Sequence, residues 1–175
     1  KEVTVRDGEA SATIAPSDTL RIDFEIDFAD AAIGHQKKSL VMNNGSFARE
    51  LCDSRTFCRQ ADVDAMKANG LALGGAAGEN AVVFDGDSVS SPGGLRHADE
   101  PVRHKMLDAL GDLALAGAPL IGHYTGIKAG HSLTNTLLRA LFATPGAVRL
   151  VECDASMASR LPGHGLVWDE IPDVA

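Results

Sequence analysis

The chain has 175 residues, enough for one domain with a real core and too few for two full domains. Hydrophobic residues make up 45% of it and charged residues 23%, which is ordinary globular usage and excludes a disordered tail or a collagen-like repeat. Sixteen Lys and Arg against 24 Asp and Glu leave a formal charge of -8, which repels phosphates and excludes nucleic acid as a partner. No apolar run approaches the roughly 20 residues that span a bilayer, and no charged-then-apolar leader opens the chain. No transmembrane segment is therefore expected, and the expected compartment is the cytoplasm. Cys52, Cys58 and Cys153 cannot all pair and fit no C-x-x-C pattern, so they are expected to be reduced and partly buried.

From Glu2 to Phe28 the strings EVTVRDGEASATIAP and LRIDFEIDF alternate apolar and polar residues, the period of half-buried antiparallel strands, with a turn at Arg6-Asp7-Gly8. KKSLVMN is a further strand. A short helix follows from about Phe47 to Cys52, with Ser46 as its expected N-cap. From Thr56 to Val83 the chain reads strand, helix closed by Gly70, glycine-rich loop and strand, a small βαβ insert. The string GLALGGAAG lacks both the G-x-G-x-x-G spacing and the Lys-Ser/Thr ending of a phosphate loop, so it is not read as one. The segment DEPVRHKMLDALGDLALAG predicts a long helix: Asp99 as cap, Pro101 in the first turn, and Gly117 then Pro119 as the stop. PLIGHYTGIKAG supplies a strand, HSLTNTLLRALFA a second long helix, and AVRLVEC a last strand before a tail rich in Pro and Gly. Strands in a run with two long helices late predict an α+β two-layer sandwich: a mainly antiparallel sheet, two long helices and the βαβ insert.

On the helix from Pro101 to Ala116, a rotation of about 100° per residue puts Val102, Met106, Leu107, Leu110 and Leu113 on one face, the expected core. His104, Asp108 and Asp112 form a ridge opposite. An i, i+4 His and Asp lean the same way and can hold one metal ion, but spacing alone favours the weak ion pair of a solvated face. His131 opens the second helix after Gly130; a lone His at such a position is more often a surface residue than a catalyst.

The strings VRHKMLDALGDL and KAGHSLTNTLLRALF, preceded by SFARELCDSRTF, NGLALGG and GLRHADEPVRHK, resemble the UDP-3-O-acyl-N-acetylglucosamine deacetylases in order and separation. These enzymes are the zinc amidases of lipid A synthesis. The resemblance covers essentially all of residues 1–175 and is to the second, C-terminal domain of that enzyme, with the βαβ insert at about 57–84 and the family's first domain absent. It implies that His104 and Asp108 are two of three zinc ligands. The third ligand and the catalytic Glu belong to an E-H motif of the first domain that has no counterpart here, so the chain alone is expected to be inactive.

The resemblance further implies that His131 is the cationic or general-acid histidine, that Asp112 orients it, and that Thr56 stabilises the oxyanion. Lys105 and Lys128 match positions near the nucleotide diphosphate, and Phe24 matches a residue that stacks on uracil. Val63, Ala72, Gly75, Ala81 and Val83 line an apolar passage for the acyl chain, although small residues are equally ordinary βαβ packing; the loop GGAAGEN is one residue longer than the usual family form. The implied partners are UDP-3-O-acyl-N-acetylglucosamine, Zn2+ and the first domain. The other readings are a non-catalytic UDP-acyl-sugar-binding module and one chain of a split enzyme. His35, His97, His123 and His164 are read as loop or surface residues.

Overall fold

A computed structural model of the chain describes residues 1–30, 32–43, 45–70 and 80–162. Strands β1 (Val3–Asp7), β2 (Ala10–Ala15), β3 (Arg21–Asp27), β4 (His35–Val41) and β8 (His123–Ile127) form one sheet in the order β1-β2-β8-β3-β4. β8 enters late in the chain between β2, to which it is antiparallel, and β3, to which it is parallel. The β1–β2 turn falls on Gly8 and Glu9 rather than one residue earlier, since Asp7 still pairs with Ala10. Gly8 there takes φ 57°, a left-handed conformation that costs glycine little.

Alternation decides which side of the sheet is core. Ile22, Phe24 and Ile26 of β3, Ala12 and Ile14 of β2, and Tyr124 of β8 are all buried, whereas their strand neighbours, apart from the buried Ser11, are exposed or half-buried. Two long helices, α3 (Glu100–Leu113) and α4 (His131–Ala143), cover this face. Val102, Met106 and Leu113 of α3 and Leu137, Leu138 and Leu141 of α4 complete one hydrophobic cluster. Each such side chain contributes about 1.5–3 kcal/mol when fully buried, so packing rather than helix propensity holds α3 and α4 in place. The architecture is the α+β two-layer sandwich expected from the sequence.

Gly126 makes the inner face possible. A Cβ there would lie 2.7 Å from Cε2 of Phe24 and 3.0 Å from Cε1 of Tyr124, so the glycine leaves the space that the Phe24 ring occupies. The βαβ insert comprises β5 (Thr56–Arg59), α2 (Gln60–Ala68) and β6 (Ala81–Asp85), with β5 and β6 parallel and β7 (Ser88–Val89) antiparallel to β6. Phe57 joins the insert to the main body by an edge-on contact with Phe28 at 5.5 Å, and within the insert it stands edge-on to Phe84 of β6 at 6.2 Å.

Several local expectations are corrected. The short helix α1 spans Ser46–Glu50 and is entered through Gly45 at φ 72°; Ser46 lies inside it, and its hydroxyl donates to Val41 O and Asn43 Oδ1 instead of capping. Asp99 precedes α3, but its carboxylate accepts from Lys38 and Arg103 and caps no backbone N–H. On α3, Leu107 and Leu110 pack against the core as expected but are only partly buried, and Ala109 joins the buried set. Residues 147–153 are not a strand: no described strand lies beside them, and Leu150 is 92% exposed. Cys52 and Cys58 are half-buried, but Cys153 is exposed in this same stretch.

Candidate active site

The polar ridge of α3 does not face open water. The side chains of His104, Asp108 and Asp112 are 15%, 16% and 14% exposed, because α4 on one side and β5 on the other close over them. Successive residues of the ridge are one helical turn apart, so their tips converge on one short groove. The solvated-face reading that spacing favoured is therefore replaced by a half-enclosed cluster.

His104 is held from two directions. Its Nδ1 donates to the carbonyl of Ser54 at 3.1 Å, and its ring stands edge-on to Phe57 at 6.3 Å. That bond leaves Nε2 as the free ring nitrogen, directed to Asp108 Oδ1 at 3.3 Å. Two ligands each about 2.1 Å from a tetrahedral zinc sit about 3.4 Å apart, so this pair of atoms fits two corners of such a site. Among the described residues no group of three or more His, Cys, Asp or Glu is arranged to hold a metal ion. The pair would supply two protein ligands, whereas a catalytic zinc ordinarily takes three.

His131 is the first residue of α4, entered from Gly130 in an extended conformation (φ -127°, ψ 178°). Its Nδ1 donates to both oxygens of Asp112, at 3.0 and 2.9 Å. Nε2 is then turned toward Asp108 Oδ2 at 3.8 Å, with the side chain still 64% exposed. A carboxylate behind Nδ1 fixes the orientation of the ring and leaves Nε2 as the nitrogen that can meet a substrate. Two imidazoles therefore flank Asp108.

The remaining site residues fall into groups. Thr56 begins β5, two residues after Ser54, and is exposed. Lys105 donates to Asp108 Oδ2 at 2.8 Å, and its ammonium stands 6.0 Å from the centre of the Phe24 ring. Phe24 is 2% exposed, with Tyr124 stacked on it at 6.3 Å, so in this arrangement no face of its ring is open to a base. Lys128 lies three residues before His131 at φ 52°, the one non-glycine with positive φ among the described residues. Such a conformation is held by its surroundings, here by the Lys128 N–H donating to Glu25 O at 2.8 Å. The Lys128 ammonium reaches Glu9 at 2.9 Å and Asp27 at 3.1 Å, and hydrogen bonds to these carboxylates push its pKa up.

Of the acyl-passage residues, Ala72 and Gly75 lie outside the described residues. Ala81 pairs with Thr56 and Val83 with Cys58 across β5 and β6; Val83 is 5% exposed, and Val63 is half-buried on α2. The other described histidines are away from the ridge. His35 and His123 stand on the outer face of the sheet, paired with Glu25 and Asp23, and His97 pairs with Asp53 in a loop. A cleft of about 440 Å³ opens over β3, β4 and β8, lined among others by Asp23, Phe24, Glu25, Lys37 and Lys38; within it Lys37 pairs with Glu25, whereas Asp23 pairs with Arg21 and His123 and Lys38 with Glu50 and Asp99 outside it, and it does not include the ridge.

Glu100 and Arg55 carry no functional signal in the sequence. Glu100 is 0% exposed and Arg55 8%. One oxygen of Glu100 accepts from the Arg55 backbone N–H at 3.0 Å and its Nε at 2.9 Å; the other accepts from Arg55 Nη2 at 3.0 Å and the Arg96 backbone N–H at 2.7 Å. A Glu in the first turn of a helix reads as a solvated residue favoured by the helix dipole, so local pattern carries no sign of this partner 45 residues away.

Comparison with known proteins shows the family of the chain. Residues 1–143 match the family described as UDP-3-O-acyl N-acetylglycosamine deacetylase. A protein of Phenylobacterium zucineum named UDP-3-O-acyl-N-acetylglucosamine deacetylase is 49% identical over 148 residues, covering 85% of this chain and 50% of that protein. Proteins of the same name from Anaeromyxobacter and Shewanella oneidensis are each 42% identical, covering 91% and 96% of this chain and 53% and 56% of their own length. The chain spans about half the length of the curated relatives it matches. With the family description matched across most of its length, including both long helices and every residue of the ridge, the chain belongs to the UDP-3-O-acyl-N-acetylglucosamine deacetylase family.

Proposed function

We propose that this chain is the second half of a zinc-dependent amide hydrolase that removes acetate from UDP-3-O-acyl-N-acetylglucosamine, the committed step of lipid A synthesis. The observation that carries the reading is the meeting of His104 Nε2 and Asp108 Oδ1 at 3.3 Å, with His131 backed by Asp112 on the far side of Asp108. His104 and Asp108 would hold zinc, which when bound supplies Lewis acidity toward the amide carbonyl and its attacking water. His131 protonates the departing amine from Nε2, while Asp112 keeps the ring oriented and its charge balanced. Thr56, exposed at the start of β5, donates its hydroxyl to the developing oxyanion. Lys105 and Lys128 attract the diphosphate, Lys128 after parting from Glu9, which is itself 85% exposed.

The general base and the third zinc ligand are supplied by the half of the enzyme this chain does not contain. That half covers the helix layer and the ridge. Exposed Leu115 and Phe142, at 67% and 55% near the C-terminal ends of α3 and α4, support a covered apolar surface there. Alone, the chain is expected to bind zinc weakly, to lack deacetylase activity and to self-associate. The test is reconstitution: the chain is mixed with a protein comprising the first half of a family member, and acetate release is followed with zinc present. Activity that needs both proteins and disappears with His104→Ala is the expected result. No acetate at high concentrations of both dismisses the split-site reading, and tight stoichiometric zinc binding by this chain alone contradicts the incomplete shell.

A further inference from the structure

We propose that the buried Arg55–Glu100 ion pair is a positioning device for His104, one that fixes which ring nitrogen faces the metal. This rests on the zinc role given to His104 above. Glu100 lies one turn before His104 on the same helix. Arg55 adjoins Ser54, whose carbonyl receives His104 Nδ1. The contacts therefore close a loop. Residue 100 grips residue 55, residue 54 grips residue 104, and four residues of rigid helix join 100 to 104.

The geometry of the grip is directional. Both oxygens of Glu100 are used, by the Arg55 backbone, two of its guanidinium nitrogens and the Arg96 backbone. Arg55 Nη2 also donates to Gly94 O at 2.7 Å, and Arg96 Nη1 to Asp53 O at 2.7 Å, so residues 53–55 and 94–96 are laced together. The Ser54 hydroxyl, by contrast, is buried without a hydrogen-bond partner. Its main chain is placed from two sides, by its own N–H donating to Leu51 O at 3.0 Å and by the Glu100–Arg55 backbone bond, which is one residue away from the carbonyl that matters.

Burying two charges is a poor way to gain stability, because the loss of hydration offsets most of their attraction. A planar fork locked on a carboxylate does fix direction, which an apolar pair of the same size does not. An imidazole offers either nitrogen to a metal, and the partner of the other nitrogen decides between them. If the Ser54 carbonyl drifts, His104 loses the bond that reserves Nε2 for the groove.

The experiment uses the full 175-residue chain with 15N-labelled histidine and zinc alone as the probe. Long-range proton–nitrogen spectra report which His104 nitrogen carries the proton and which receives the metal, and circular dichroism reports folding. Wild type is expected to take zinc at Nε2 with the proton on Nδ1. Glu100→Gln keeps the shape and removes the charge; it is expected to weaken zinc binding about 10–100-fold and to give a mixture of the two ring forms. Because single variants risk unfolding, the paired replacement Arg55→Met with Glu100→Leu serves as the folded companion. It is expected to match wild type in thermal stability and still show the weakened zinc response. A folded variant of either kind with wild-type zinc affinity and a single Nδ1–H form overturns the proposal while leaving the metal reading intact. Zinc raised far beyond the protein concentration that leaves the His104 ring signals of wild type unmoved overturns the metal reading, and this proposal with it.

Discussion

Glu100→Ala is the substitution for which the structure fixes a magnitude most directly. It removes the acceptor of four hydrogen bonds and leaves the Arg55 side chain, 6% exposed, without its carboxylate partner. Removing one member of a buried pair costs about 3–5 kcal/mol, most of it the penalty of the charge left behind. For a domain of this size each kcal/mol shifts the midpoint by about 2–4 °C, so thermal unfolding is expected about 6–20 °C lower. Glu100→Gln retains part of the network and is expected to cost about 1.5–3 kcal/mol, the range for hydrogen bonds to charged groups.

The pH dependence of this effect has a definite sign. Burial alone raises the pKa of Glu100, but hydrogen bonds from the Arg55 side chain and from the Arg55 and Arg96 backbones outweigh it, and the result lies below the ordinary 4.5. A carboxyl group with a depressed folded-state pKa stabilises fully above its unfolded value and loses that contribution as pH falls through the folded one. The gap between wild type and Glu100→Gln is therefore expected to be complete above pH 4.5 and to close in acid below it. Urea titrations of both proteins across this range measure it. A Glu100→Ala cost below about 1 kcal/mol, or a gap that widens in acid, refutes the assignment of Glu100 as a charged, paired group.

Other expectations follow from single contacts. Gly126→Ala drives a methyl against the Phe24 and Tyr124 rings and is expected to cost about 1–3 kcal/mol in chemical denaturation; no loss would mean the inner face is looser than drawn. Tyr124 is the only tyrosine, 0% exposed, and burial pushes its pKa up to about 12. The near-ultraviolet phenolate signal of the folded chain should therefore rise well above the pH at which the denatured chain titrates, and coincident curves would contradict the burial. In a reconstituted enzyme Asp112→Asn is expected to lower kcat about 100-fold with little change in KM, since it disturbs proton delivery by His131 and not binding. An effect confined to KM would move Asp112 to a substrate-binding role. Lys128→Ala should do the reverse, raising KM for the nucleotide sugar, and steady-state kinetics against substrate concentration separates the two.

The periodic elements were legible in the sequence because each reflects a local rule. The alternation of LRIDFEIDF gave β3 and its buried face, and HSLTNTLLRALFA gave α4 to the residue. Gly8 and Gly117 marked their turns because only a residue without Cβ adopts those conformations cheaply. The motif strings also carried the family, since long ordered matches need no three-dimensional argument.

The site was legible only in outline. Spacing put His104, Asp108 and Asp112 on one ridge but could not say whether that ridge met water or another helix. Asp112 meets His131 only because β8 inserts between β2 and β3 and delivers α4 beside α3, a placement set by strand order and not by neighbours in the chain. The same holds for Glu100, whose charge reads as solvated until Arg55 arrives from 45 residues away. It holds in reverse for AVRLVEC, where apolar pattern suggested a strand and no described strand pairs with the segment. Local sequence determined which segments turn, coil or extend, because those choices depend on a few adjacent residues. Tertiary structure alone decided which polar groups meet, because burial and partnership depend on chain brought in from a distance.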